Sequence, residues 1–235
     1  MRQLVPGCSG SQNRRENGGV IMSMDNIIKI PARCNRKIEL KAIPGHFATN
    51  HSHINYYLDM TPIKYRHTEA QLVAKEMVKK YRHTTAVDAI VCMDGCEVIG
   101  AYLAEELTAA GIMSLNSHEC VNVITPEINS SGQIIFRENV EPMVLHKHVV
   151  VLIASATTGK TIQQSIDGIS YYGGIVEGVS ALFSAVDNVG GVDVDSIFTT
   201  SDIPDYATYR PGACPFCDGK QKLDAIVNSF GYSKI

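Results

Sequence analysis

The sequence predicts an α/β fold in which a parallel sheet is flanked by helices. Three observations carry that expectation. Residues 149–153 are five branched apolar residues in a row, without the polar alternation of a half-exposed strand; this is the pattern of a parallel strand covered on both faces. Residues 86–93 form a second buried strand, and it ends in an Asp94-Gly95-Cys96 turn that leads into a helical pattern. Strand and helix signals then alternate, with loops at the C-terminal ends of both strands, as in a sheet that takes its ligand along that edge. Right-handed crossovers would place the helices on both faces.

The elements follow in order. Residues 1–23 are polar and rich in Gly, Ser and Asn, without the apolar core of an export signal. They read as a disordered arm or an overlong start, with Met22 or Met24 opening the folded part. Residues 27–59 carry short strand-like pieces around Pro31, Pro44 and Gly45, with an aromatic pair at Tyr56 and Tyr57. Over 68–81, Leu72, Val73, Met77 and Val78 recur at the spacing of an amphipathic helix. A helix over about 98–110 keeps Glu105 and Glu106 on its wet face and stops at Gly111. Short strands are expected near 112–115 and 120–124. After the polar loop Asn129-Ser130-Ser131-Gly132, residues 133–136 pair back as a hairpin. Beyond the central apolar run come a helix over 162–171, the Gly173-Gly174 break, a long apolar strand over 175–186 and a last short strand over 196–199. There is no internal repeat.

Composition narrows the function. The chain has 235 residues, enough for one domain of ordinary size, and 45% of them are hydrophobic. A net charge of −3 gives no global attraction to nucleic acid or to an anionic membrane, and no apolar run approaches the ~20 residues that span a bilayer. Seven irregularly spaced cysteines, an odd number, suggest reduced thiols and a cytoplasmic location. Cys214-Pro-Phe-Cys217 is the one spacing that suggests metal or redox chemistry. Zinc at Cys214 and Cys217 would need about two further ligands, and no second Cys-x-x-Cys supplies them. Cys92 and Cys96, or groups from a partner chain, are the alternatives. The expectation is therefore a tight proline turn holding two packed thiols, with zinc as the less favoured reading.

The most informative segment is the turn that ends the central strand: Ser155, Ala156, Thr157, Thr158, Gly159, Lys160 and Thr161. It offers backbone N–H groups, hydroxyls and one ammonium at a helix N-terminus, which together suit a phosphate group. Taken alone, the same residues are also those of an ordinary capped helix start. Upstream, Asp94 could hold a Mg²⁺-bound diphosphate through water, since magnesium favours oxygen ligands and keeps its own waters. Taken alone, an Asp before Gly reads first as a turn former.

These residues resemble the type I phosphoribosyltransferases. Strand, Thr157-Thr158-Gly159-x-Thr161 and helix are similar to that family's loop for phosphoribosyl diphosphate (PRPP). Residues 90–96, with Met93, Asp94, Gly95 and Cys96 before a helix, look like its diphosphate loop. Gly45-His46-Phe47-Ala48-Thr49, Ser52 and Tyr56-Tyr57-Leu58-Asp59 resemble the N-terminal hood of the orotate enzymes. The resemblance implies a type I phosphoribosyltransferase-like parallel sheet flanked by helices with a small hood, divided as 24–66 hood, 67–200 core and 201–235 C-terminal extension. It also implies a homodimer, Mg²⁺, PRPP or another phosphorylated ribose as ligand, and Lys41 and Phe47 at the nucleobase. The family's mobile catalytic loop corresponds to 124–147, which makes Arg137 and Lys147 the catalytic candidates; Lys147 also reads as the surface residue that precedes the strand.

One departure falls at the centre of the chemistry. The two adjacent acidic residues that hold the ribose hydroxyls in this family should fall on Ile153 and Ala154, neither of which accepts a hydrogen bond through its side chain. Losing such charge-assisted bonds, at about 1.5–3 kcal/mol each, would weaken PRPP binding unless another group replaces them. Glu97 is likewise an unusual charge beside a diphosphate loop. The leading expectation is an orotate phosphoribosyltransferase-like enzyme that moves ribose 5-phosphate from PRPP to a nucleobase with release of diphosphate. The alternatives are a non-catalytic sensor of a nucleotide or phosphorylated sugar on the same fold, and a thiol- or zinc-linked structural dimer.

Overall fold

A computed structural model of the chain describes residues 26–109, 115–116 and 120–235. The arm over 1–23, the Gly111 helix stop and the strand expected near 112–115 lie wholly or largely outside the described residues.

The N-terminal part is a meander of β1 (Ile28–Pro31), β2 (Glu39–Ala48) and β3 (His53–Asp59), in which β1 and β3 both pair antiparallel to β2. A short helix, α1 (Thr61–Tyr65), and a long one, α2 (His67–Tyr81), lead into the core. There the chain alternates: β4 (Ala89–Cys92), α3 (Glu97–Thr108), β5 (Asn122–Ile124), the small hairpin β6 (Glu127–Ile128) and β7 (Ile134–Ile135), β8 (His148–Ala156), α4 (Lys160–Tyr171) and β9 (Ile175–Ser184). A two-residue strand, β10 (Asn188–Val189), then folds antiparallel onto β11 (Val192–Thr199). The remaining segment carries β12 (Thr208–Tyr209), the one-turn helix α5 (Pro215–Asp218), β13 (Ala225–Asn228) and β14 (Gly231–Lys234).

The core sheet runs β10-β11-β9-β8-β4-β5, and all its pairings are parallel except β10 with β11. β8 lies at its centre and is covered on both faces, which is why its sequence shows no alternation. Successive side chains divide between two cores. Val150, Leu152 and Ala154 pack with Val73 and Met77 of α2 and Ile99 and Leu103 of α3. Val149, Val151 and Ile153 pack with Ile162 and Ile169 of α4. This is a three-layer arrangement with helices on both faces, as expected. One close approach depends on glycine: a Cβ on Gly100 of α3 would sit 2.4 Å from the Cys92 sulfur of β4.

Two elements differ from expectation. The last core strand begins at Val192 rather than Ser196; Asp193 and Asp195 mask it, since β11 is near the sheet edge and keeps them only partly covered or exposed. The C-terminal extension carries strands of the hood sheet. β13 pairs parallel to β2, and β12 pairs antiparallel to β3, so the hood sheet, β12-β3-β2-β13-β14 with β1 beside β2, is built from both ends of the chain. Ile43, Phe47, Ile54 and Tyr57 of the meander bury against Ala225 and Val227 of β13.

Candidate functional site

In the core sheet the chain steps from β4 outward to β5, and from β8 outward to β9 and β11, so the order reverses between β4 and β8. Loops leaving the C-terminal ends of two such strands diverge to opposite faces and leave a crevice. The two loops at this crevice are the Asp94 loop and the turn after β8.

The turn spans 157–159 and α4 starts at Lys160. Gly159 caps the helix in the left-handed region, φ 73°, and a Cβ there would lie 2.8 Å from Val189, so the position is held to glycine by conformation and by space. No side chain caps this helix start, and its first turn has no acidic residue. The first N–H groups of α4 are therefore left for an anion or water.

The neighbouring loop is left-handed at two consecutive residues, Asp94 (φ 60°) and Gly95 (φ 77°), before Cys96 opens α3. Burial pushes the Asp94 carboxyl above its ordinary value of 3.8, although the Ser229 hydroxyl, the Lys64 ammonium and the Ala154 N–H all pull it back. Lys64, from α1, is only 2% exposed. Its Nζ donates to the backbone carbonyls of Asp94 (2.7 Å) and Ser229 (2.5 Å), tying the hood to the core.

Between the hood and the two loops lies a cavity of about 390 Å³. Met93, Asp94, Ala154, Ser155, Thr157 and Thr161 line it from the core, Thr49, Asn50 and His51 from the β2–β3 turn, and Asn228, Ser229 and Phe230 from the C-terminal hairpin. Among the described residues its lining holds a single carboxylate, Asp94, and a single ammonium, Lys64.

Solved structures share this architecture. Adenine phosphoribosyltransferase from Trypanosoma brucei, in complex with AMP, pyrophosphate and ribose-5-phosphate, superposes with a TM-score of 0.50 at 12% identity, over 72% of this chain and 79% of its own. The fold is that of the type I phosphoribosyltransferases. Two orotate phosphoribosyltransferases are also similar. The Mycobacterium tuberculosis enzyme with Fe(III) dicitrate gives a TM-score of 0.49 at 15% identity over 70% of this chain and 93% of its own. The Aeropyrum pernix enzyme gives 0.47 at 19% identity over 68% and 88%. In sequence, no family model and no curated protein matches the chain.

Within this type I phosphoribosyltransferase fold the expected site residues separate into two groups. Ser155, Thr157, Thr161, Met93 and Asp94 line the cavity. Ala156, Thr158, Gly159 and Lys160 complete the turn, with Thr158 and Lys160 exposed, and Gly95 and Cys96 complete the other loop. The remaining candidates lie elsewhere. Phe47 is fully buried in the hood core against Tyr57, not in the cavity wall, because its strand face packs on β13. Lys41 stands on β2 between Lys29 and Asp59 of the flanking strands, and is not in the lining. Arg137, exposed just past β7, makes a two-pronged pair with Glu127 of β6 (2.9 and 2.6 Å) and is not in the lining, although Ile128, Gly132 and Ile134 of that hairpin are. Lys147 precedes β8 and faces Asp88 at 3.7 Å, at the opposite end of a nine-residue strand from the turn. At about 3.3 Å per residue the length of that strand separates Lys147 from the turn of the same chain. Ile153 faces the α4 core and only Ala154 faces the cavity.

Lys64, Ser229 and Tyr206 are cavity residues that sequence reasoning missed. The sequence offers little signal for Lys64, a lone lysine in a one-turn helix. The cysteine pair lies in the hood beside two histidines. Its two missing partners are present in the hood: His46 on β2 and His53 on β3 bring ring nitrogens to Cys214 and Cys217, and the four ligand atoms all lie within 4.8 Å of one another.

Proposed function

We propose that the protein is a phosphoribosyltransferase of orotate-like type, transferring ribose 5-phosphate from PRPP to a nucleobase nitrogen with release of diphosphate. The observation that carries this reading is the convergence of the uncapped α4 turn and the Asp94 loop on one cavity at the sheet's point of reversal. In this reading the N–H groups of 158–161 and the hydroxyls of Thr157 and Thr161 hold the 5′-phosphate. Asp94, the cavity's single carboxylate, takes over from the acidic pair that Ile153 and Ala154 lack. Its carboxyl accepts from the Ala154 N–H at the end of the adjacent strand and lines the same cavity as Ala154, which supports that role. Mg²⁺ brought by the diphosphate would meet the same carboxylate through its waters, where it would offset phosphate charge. One acceptor serving both ribose and metal would make turnover slow. Protein copies would pair as homodimers in the cytoplasm.

A second reading, a sensor of a phosphorylated sugar or nucleotide without turnover, is favoured by the placement of Arg137 and Lys147 away from the cavity. The two are separated by incubating the protein with PRPP, Mg²⁺ and a panel of bases and assaying diphosphate. Base-dependent release supports the enzyme. PRPP binding without release supports the sensor, and neither binding nor release defeats both.

A further inference from the structure

We propose that His46, His53, Cys214 and Cys217 form a tetrahedral zinc site that clasps the two ends of the chain together in the hood. The site lies outside the cavity and is independent of the transferase reading.

Four observations carry it. The first is donor chemistry and spacing. Two thiols from a Cys-x-x-Cys turn and two imidazoles form the S₂N₂ set that selects zinc among abundant metals. The second is geometry. Zn–S of about 2.3 Å and Zn–N of about 2.0–2.1 Å place the ligand atoms of a tetrahedron about 3.4–3.8 Å apart. Here His46 Nε2 lies 3.0 Å from His53 Nδ1, 3.5 Å from Cys214 Sγ and 3.7 Å from Cys217 Sγ, and Cys217 Sγ lies 3.4 Å from His53 Nδ1.

The third is orientation. His46 Nδ1 meets the Gln221 carbonyl at 3.1 Å. A carbonyl only accepts, so Nδ1 carries the proton and Nε2 turns its lone pair toward the sulfurs, as a buttressed metal ligand does. The ring is further fixed by its own backbone. The His46 N–H donates to Asp224 Oδ2 and its carbonyl accepts from the Asp224 N–H, both at 2.8 Å. The fourth is local fold. Between the pairs Pro44–Tyr56 and Phe47–Ile54, two residues of β2, Gly45 and His46, face Asn55 alone. That bulge turns His46 toward the neighbouring C-terminal segment. It requires glycine at 45, where a Cβ would come within 2.8 Å of Asp224. His46 and Cys214 are fully buried, His53 is half-buried and Cys217 is exposed, and the Phe216 ring lies tilted against His46 with centroids 5.2 Å apart. Four protein donors fill a tetrahedral zinc shell and leave no position for a substrate, which is the structural rather than the catalytic arrangement.

Zinc binding joins the β2–β3 hairpin to the segment that carries β13 and, beyond it, Asn228–Phe230 at the cavity wall. The test is metal analysis and X-ray absorption on the full chain, expressed with zinc present and purified under reducing conditions without chelator. The expected result is one zinc per chain with a shell of two sulfurs and two nitrogens. That zinc should be lost from a Cys214→Ser/Cys217→Ser variant and kept in a Cys34→Ser/Cys120→Ser variant, whose cysteines are exposed and outside the cluster. If the first variant fails to fold, cobalt(II) added to reduced, zinc-stripped wild-type chain should give the intense visible ligand-field bands of a tetrahedral thiolate site. Zinc no higher than in the cysteine-to-serine variant, a sulfur-only shell, or cobalt without tetrahedral bands would overturn the site.

Discussion

At Asp94 an ionised carboxylate exchanges bulk water for a hydroxyl, one N–H and the Lys64 ammonium, and burial wins, so its carboxyl is raised above 3.8. A raised acid stabilises the fold fully below 3.8 and loses that contribution as pH rises through the raised value. Asp94→Asn removes the titration. The variant's melting temperature should therefore rise relative to wild type as pH increases from 3.8 upward, measured in parallel thermal melts; a constant difference would contradict the burial argument. Lys64 is the opposite case, a buried cation with two carbonyl partners beside an acid. Lys64→Met should cost about 3–5 kcal/mol, because it leaves two buried carbonyls without their donor and removes the cation beside that carboxylate. Denaturant unfolding would measure it. At this scale the sequence is a partial guide. Asp94 stands out because Asp-Gly follows a buried strand, whereas Phe47 taken alone reads as a core ring, is placed at the base only by the family resemblance, and packs against β13 in the hood core.

Among elements, the strand–turn–helix unit around β8 and α4 was legible, because burial on both faces leaves a run such as 149–153 with no reason to alternate. The same physics hides the short strands. β12 has two residues and β13 four, too few for periodicity to register, and their partners are set by tertiary pairing with β2 and β3. The α3–β4 contact gives a sharp prediction. Gly100→Ala should lower stability by about 1–3 kcal/mol through overpacking against the Cys92 sulfur. Adding Cys92→Ala should recover part of that loss, which a double-mutant cycle of unfolding free energies would reveal; strictly additive losses would place the clash elsewhere.

For the whole molecule, the hood depends on the chain's two ends meeting, and the contacts that achieve this span large separations: His46 and Cys214 are 168 positions apart. No local pattern encodes such a pairing, so the site's four ligands look like an isolated Cys-x-x-Cys and two unremarkable histidines until the chain folds. The same distance hides Lys64 and Ser229, whose contact spans 165 positions. Assembly is the next level. Met143, Leu145, Tyr171 and Ile175 leave apolar surface exposed, and the proposed homodimer should bury part of such surface. Analytical ultracentrifugation at micromolar concentration should show a dimer, and a monomer would count against it.

In the proposed function, the crevice between β4 and β8 holds a phosphorylated ribose with Asp94 in place of the lost acidic pair. Calorimetric titration of PRPP with Mg²⁺ into three forms of the folded chain tests it most directly: wild type, Asp94→Asn, and Asp94→Asn with Ala154→Asp. Wild type should bind one PRPP per chain. Asp94→Asn should bind about 10-fold to 100-fold more weakly, the equivalent of one charge-assisted hydrogen bond of about 1.5–3 kcal/mol. Restoring a carboxylate at position 154, where the side chain faces the cavity, should recover much of the loss. No PRPP binding by the wild-type chain, or equal affinity in all three forms, would rule out this role for the crevice and for Asp94.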